Sequence, residues 1–295
     1  MHGVFLDVST VTDGDLDLDP LRATLDSWTF SELTAPGDIA QAIRDADIVV
    51  SNKAVLDRDA IAAAGRLRLI CIAATGTYNV DLGAAREGNI GVCNVRAYAT
   101  TSVVEHVFMV ILALQHRLAE HTAAVGRGQW EHASRFSMLD FPFCELSGQT
   151  LGIIGYGELG KADAKMAHAF GMQVQIGERA GAAIRPGRVA FDELIAQADV
   201  ISLHCPLTPA TENLLTMEAF RKMRTGAILV NTARGGIVNE ADLLQALKSG
   251  EIAGAAVDVL TTEPPVSGNP LLGEQLPNLI VTPHVAWAGR HARQR

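Results

Sequence analysis

The stretch Leu151-Gly152-Ile153-Ile154-Gly155-Tyr156-Gly157-Glu158-Leu159-Gly160 decides how the rest of the chain is read. A short apolar run ends in Gly-x-Gly-x-x-Gly, and helical spacing begins directly after it. Among 27 glycines the pattern alone is weak, but its place between a strand and a helix gives it a mechanical meaning. Gly155 permits a tight turn, Gly157 lets the backbone approach a pyrophosphate, and Gly160 lets the helix pack close to the strand. The helix N-terminus then offers free N–H groups and a positive dipole to phosphates.

The following strand, Gln173–Gly177, ends at Glu178. An acid about 20 residues past such glycines can accept hydrogen bonds from the ribose hydroxyls of a dinucleotide and repel a 2′-phosphate. This favours NAD(H) over NADP(H), while the nearby Arg179, Arg185 and Arg188 leave NADP(H) open.

Working outward, the βα rhythm continues on both sides. Strands are expected at Leu151–Gly155, Val200–His204, Ala227–Asn231, Ala253–Val259 and Leu279–Thr282, with helices at Leu159–Phe170, Phe191–Gln197 and Glu240–Ser249. Upstream, Val4–Leu6, Ile48–Val50, Leu69–Ala73 and Ile90–Cys93 read as strands, and Ile39–Arg44, Asp59–Ala64 and Asp81–Glu87 as helices. Apolar runs without polar alternation suit parallel sheets covered on both faces. Between the two series, Val103, Val107, Val110, Ile111 and Leu114 recur at helical spacing, which predicts one long connecting helix from Thr101 to about Val125. The fold class is α/β, with two Rossmann-like domains.

Composition narrows the function. A formal net charge of −9 argues against nucleic acid or anionic lipid as partner. The cysteines, Cys71, Cys93, Cys144 and Cys205, are scattered without a CxxC pair, so neither a disulfide framework nor a metal site is expected. Met1–Asp7 has no leader pattern, and the apolar run Val107–Leu114 is far short of a membrane span. A cytoplasmic protein is expected.

Three residues follow later strands, where open α/β sheets bind ligands. Arg234, in Val230-Asn231-Thr232-Ala233-Arg234-Gly235-Gly236, can hold a carboxylate bidentately and polarise a carbonyl oxygen. His284, in Thr282-Pro283-His284, can give a proton to a forming alkoxide near neutral pH. Glu263, in Asp258-Val259-Leu260-Thr261-Thr262-Glu263-Pro264, can orient that imidazole. Each alone reads as well as a surface residue; after a dinucleotide fingerprint, the three describe a hydride-transfer site.

These segments, together with His204-Cys205-Pro206-Leu207-Thr208, make the chain resemble the D-isomer-specific 2-hydroxyacid dehydrogenase family over nearly its whole length. The resemblance implies NAD(H)-dependent interconversion of a 2-keto and a 2-hydroxy acid, with Arg234, Glu263 and His284 as substrate-binding and catalytic residues. It implies a dinucleotide-binding domain over residues 99–284 and a substrate domain over 1–98, with 285–295 returning toward it and closure of the two around a cleft. Members usually continue further through a helix that returns to the first domain. Cofactor contacts are expected from Gly155, Gly157, Glu158, Leu159, Gly160, Glu178, His204, Pro206, Thr232, Ala233 and Asp258. Substrate contacts are expected from Asn52, Thr75, Gly76 and Thr77 besides Arg234, with the Gly76 and Thr77 amides holding the carboxylate. The loop Ala73–Asp81, the stretch Cys93–Thr100 and Ala286-Trp287-Ala288 resemble glycerate dehydrogenases, also called hydroxypyruvate reductases, and point to hydroxypyruvate or glyoxylate. Alternatives are another 2-keto acid on the same scaffold and an NAD-sensing, corepressor-like binder. Glu105 and His106 are read as helix–helix or interface contacts, with a place near the cleft as the alternative, and a homodimer through the long helix is expected.

Overall fold

In the computed structural model, which describes residues 1–295, the chain divides into two compact units, Met1–Ala99 with Ala288–Arg295, and Thr100–Trp287. The first unit holds strands β1 (His2–Phe5), β2 (Ser27–Phe30), β3 (Ile48–Ser51), β4 (Leu69–Ile72) and β5 (Gly91–Asn94), all parallel, in the order β2-β1-β3-β4-β5. Its helices are α1 (Asp19–Arg22), α2 (Ile39–Ile43), α3 (Arg58–Ala63) and α4 (Leu82–Glu87). Asp57 and Asp81 start α3 and α4 by accepting hydrogen bonds from Ala60 N and Ala84 N. Such caps contribute about 0.5–2 kcal/mol each, which matters for helices this short. Val4, Leu6, Ile43, Val49, Leu56, Ile70 and Ile72 form the buried core between sheet and helices.

The second unit opens with α5 (Thr100–Gln115) and α6 (Leu118–Gly126). Here the single long helix expected from the apolar spacing is corrected. Arg117 adopts a left-handed φ of 50°, and the two helices bend by 59° at that break. The apolar positions that suggested one helix end at Leu114, before the break, and α6 buries only Ala124, so the periodicity carries no information on the bend. No single helix is long and apolar enough to cross a membrane.

Six parallel strands follow, β6 (Thr150–Ile154), β7 (Gln173–Gly177), β8 (Val200–Leu203), β9 (Ile228–Asn231), β10 (Gly254–Val257) and β11 (Leu279–Val281), in the order β11-β10-β9-β8-β6-β7. The helices between them are α7 (Glu158–Ala169), α8 (Phe191–Gln197), α9 (Met217–Lys222) and α10 (Glu240–Ser249). Every residue of β8, β9 and β10 is buried, as a sheet covered on both faces requires. The chain then returns to the first unit as α11 (Arg290–Gln294). Arg293 fastens that helix by a fork on Asp15, with Nη1 at 2.8 Å from Oδ1 and Nη2 at 2.6 Å from Oδ2, and by Nη1 to Val11 O. The sequence reading did not anticipate α1, β2 or α9. β2 is an edge strand with alternating exposure, preceded by an Asp-rich stretch that carries no periodicity.

Candidate active site

Strand register in the second unit assembles the site. Gly177 pairs with Ile154, Ile154 with Leu203, Leu203 with Asn231, Asn231 with Val257, and Val257 with Val281. The next residue on each strand therefore lies along one carboxyl-end edge: Glu178, Gly155, His204, Thr232, Asp258 and Thr282. Strand order changes direction between β6 and β8, which puts Gly155 at the topological switch point, where such sheets bind ligands.

The glycines differ in what they meet. Gly155 has φ +100°, and a Cβ there would sit 2.5 Å from Cys205 N and from the His204 carbonyl carbon. A Cβ on Gly160 would sit 2.3 Å from Gly155 O, so the helix start is pressed onto the turn. A Cβ on Gly157 would meet nothing within 4 Å, which leaves room over the start of α7. Thr232 Oγ1, farther along the same edge, is buried without a hydrogen-bond partner. Open space over a helix N-terminus and an orphaned hydroxyl on the same edge fit a bound dinucleotide. Glu158, in the first turn of α7, takes a short hydrogen bond from Thr100 Oγ1, and Leu159 beside it is part of that turn.

The His204 side chain is almost fully buried. Its Nε2 lies 2.8 Å from Asp163 Oδ2 and 2.9 Å from Ser202 Oγ, which ties the end of β8 to the middle of α7. Pro206 O accepts from Thr211 Oγ1 at 2.7 Å, closing the loop that follows. Sequence reading missed Asp163, because its partner lies 41 residues away and on another element.

Arg234 stands on a turn built by buried Asn231, whose Oδ1 accepts Ala233 N at 3.0 Å and whose Nδ2 donates to Arg234 O at 2.9 Å. The Arg234 guanidinium is half-buried and donates from Nη1 to Ala233 O at 2.6 Å. A Cβ on Gly235 would sit 2.0 Å from the Leu260 carbonyl carbon, so the turns after β9 and β10 are in direct contact. Leu260 N donates to Glu263 Oε1 at 2.7 Å, and Glu263 Oε2 lies 2.6 Å from His284 Nδ1. Arg234, Glu263 and His284 thus follow three adjacent strands and are linked through one contiguous set of contacts.

Asp258 is held within the turn that carries His284. It is 2% exposed. Its Oδ1 accepts Thr282 Oγ1 at 2.6 Å and Val285 N at 2.8 Å, and its Oδ2 accepts Ala286 N at 2.9 Å. With Asp258 O accepting His284 N at 2.8 Å, it shapes the turn on which His284 holds φ 55°. Such a conformation is uncommon for a non-glycine residue and persists where its surroundings over-determine it. His106 on α5 joins the same network, with Nε2 3.2 Å from Thr282 Oγ1.

The Glu178 carboxylate is engaged within its own turn. Both carboxylate oxygens are held by Arg185, Nε to Oε2 at 2.5 Å and Nη2 to Oε1 at 2.6 Å, and Arg179 N donates to Oε1 at 2.9 Å.

In the first unit, Asn52 is buried and turned inward. Its Nδ2 donates to Thr10 Oγ1 at 2.9 Å, and its amide to Asp7 Oδ1 at 2.9 Å. Thr75 Oγ1 donates to Val95 O at 3.1 Å, and Thr75 O accepts Asn94 Nδ2 at 2.6 Å. These bonds fix the turn that carries Gly76 and Thr77, whose two amides form no hydrogen bond within the protein. Adjacent free amides of this kind suit an anion.

Residues 108–286 match the profile of the D-isomer specific 2-hydroxyacid dehydrogenase, NAD binding domain. The chain is 44% identical over 286 residues to a glycerate dehydrogenase of Methylorubrum extorquens, covering 95% of this chain and 90% of that protein. It is 38% identical over 301 residues to a hydroxypyruvate reductase of Blautia hydrogenotrophica, covering 100% and 93%. Among solved structures, the TT0316 protein from Thermus thermophilus superimposes with a TM-score of 0.87 at 33% identity, covering 100% of this chain and 93% of that one.

Proposed function

This chain belongs to the D-isomer specific 2-hydroxyacid dehydrogenase family, and from that premise we propose that it reduces hydroxypyruvate to D-glycerate, and runs the reverse reaction, with a nicotinamide dinucleotide. The observation that carries the reading is the linked set Arg234–Glu263–His284 on the same sheet edge as the Gly155 turn. The nicotinamide, when bound, supplies the hydride.

The protein's own groups supply position and charge. Arg234 holds the substrate carboxylate and draws electron density toward the keto oxygen. Glu263 engages His284 Nδ1, which leaves Nε2 as the nitrogen that delivers a proton to the forming alkoxide. In the oxidative direction the same nitrogen accepts the hydroxyl proton. Asp258, Thr282 and His106 hold the His284 turn without taking part in proton transfer. The intact acid–base set favours turnover over a role as a non-catalytic cofactor sensor.

The test is Arg234→Lys and Arg234→Ala with hydroxypyruvate. A lysine keeps the charge but not the fork, so kcat/KM should fall in both variants, by about 100-fold or more in the alanine. Retained activity in Arg234→Ala contradicts the assignment.

A further inference from the structure

β7 is the edge strand of the second sheet, and its register with β6 sets Glu178 level with Gly155. In a dinucleotide fold this is where the adenosine ribose meets the sheet. A free carboxylate there takes the ribose hydroxyls and rejects a 2′-phosphate. Glu178 is not free. Arg185 grips both its oxygens from one guanidinium edge, at 2.5 and 2.6 Å, and Arg188 Nε stands 3.8 Å from Oε2. Arg188 Nη1 also donates to Gly177 O at 3.4 Å. The Glu178 side chain is 2% exposed and that of Arg185 is 53% exposed, so the guanidinium covers the acid from the solvent side. The fork uses Nε and Nη2 and does not engage Nη1.

Charge points the same way. The turn Glu178–Val189 contains three arginines, Arg179, Arg185 and Arg188, and a single carboxylate. It presents net positive charge at the ribose end of the sheet. The neighbouring guanidinium also holds the Glu178 carboxyl down to about 2, so the pair stays ionised at neutral pH. A guanidinium matches a phosphate in shape and charge, and a neutralised acid no longer repels one.

We propose that the Glu178–Val189 turn accepts the 2′-phosphate of NADP(H), with Arg185 setting cofactor selectivity and Glu178 positioning Arg185 instead of binding ribose. This rests on the nicotinamide-dependent reading above and replaces the preference for NAD(H) expected from Glu178 as a lone acid.

Two ligands without a nicotinamide separate the inference from catalysis. ADP-ribose and 2′-phospho-ADP-ribose are titrated calorimetrically into the full-length chain at low and high salt. The wild-type protein should bind the phosphorylated ligand at least as tightly as ADP-ribose, and raising the salt should weaken that ligand more. Arg185→Ala should weaken 2′-phospho-ADP-ribose by about tenfold or more and leave ADP-ribose within about threefold. Arg185→Lys, which keeps the charge without the fork, should lie between. A wild-type preference for ADP-ribose by about tenfold or more overturns the inference, and needs no variant to fold. Equal losses for both ligands in Arg185→Ala overturn it as well. If ADP-ribose binds and its phosphorylated form does not, only this inference fails. If neither binds, the dinucleotide reading fails with it.

Discussion

His284 Nδ1 lies 2.6 Å from Glu263 Oε2, although the two residues are separated by 21 positions and follow different strands. Glu263 is itself fixed by Leu260 N at 2.7 Å from its other oxygen. The carboxylate therefore selects one ring nitrogen and one ring orientation before any substrate arrives. Glu263→Gln should keep the fold and dinucleotide affinity while lowering kcat by about 100-fold, the scale of a misplaced general acid. Steady-state kinetics beside calorimetric cofactor binding check this. An unchanged kcat places the proton elsewhere.

Asp258 supports the same histidine from below by accepting Thr282 Oγ1, Val285 N and Ala286 N. Asp258→Ala leaves the buried Ala286 amide unpaired, at about 1–3 kcal/mol, and removes the partner of the part-buried Val285 amide. Thermal unfolding should show the loss, together with reduced kcat. Thr282→Val removes one hydroxyl and should give a smaller fall in both.

The glycines offer an internal control. Gly155→Ala introduces a Cβ 2.5 Å from Cys205 N at a φ of +100°, so both stability and cofactor binding should suffer. Gly157→Ala meets no protein atom within 4 Å. It should fold like the wild type and still bind a dinucleotide about tenfold or more weakly, because the methyl group occupies space over the helix start. Equal effects of the two on unfolding temperature would contradict this.

Much of this site was legible from strand ends alone. Once the strands after Gly160 are located, parallel pairing brings Gly155, Glu178, His204, Thr232 and Asp258 to one edge, and Arg234, Glu263 and His284 to the turns beyond it. What the sequence hides is how the side chains are engaged. The Glu178–Arg185 fork depends on the path of a loop containing Pro186 and Gly187. The inward turn of Asp258 depends on the Val285 and Ala286 amides, which donate to its carboxylate. His106 reaches Thr282 across 176 positions through helix packing. None of these contacts leaves a local periodicity. The bend at Arg117 is hidden for another reason: the apolar spacing that suggested one helix ends at Leu114, before the left-handed residue.

Glu178 also predicts a pH response. Its carboxyl is lowered from 4.5 to about 2, chiefly by the hydrogen bonds from Arg185. A depressed acid adds stability above its unfolded value and loses it as pH falls toward the folded one. Urea midpoints should therefore decline between pH 4.5 and 2, and Arg185→Ala should flatten that part of the decline. Identical pH profiles for both proteins would remove Glu178 as the source.

A second copy of the chain is the proposed cover for the apolar side chains of the α5–α6 region and the loop after it. Met109 is 53% exposed, Leu118 54%, Trp130 54%, Phe136 92% and Leu139 71%. Exposed apolar surface, where contiguous, marks an association site. Light scattering after size exclusion should give twice the chain mass of 31.3 kDa, and charged substitutions at Phe136 and Leu139 should shift it toward one. A monomer at all concentrations rejects the assignment.

The central claim is that the chain turns over a 2-keto acid by hydride transfer with His284 as proton donor. Its most direct test follows nicotinamide oxidation at 340 nm with hydroxypyruvate, glyoxylate, pyruvate and oxaloacetate, for the wild type and His284→Ala. Consumption with hydroxypyruvate, reduced by about 100-fold or more in the variant at unchanged cofactor affinity, is the expected result. Measurable dinucleotide binding without turnover of any acid, or full activity in His284→Ala, would contradict it.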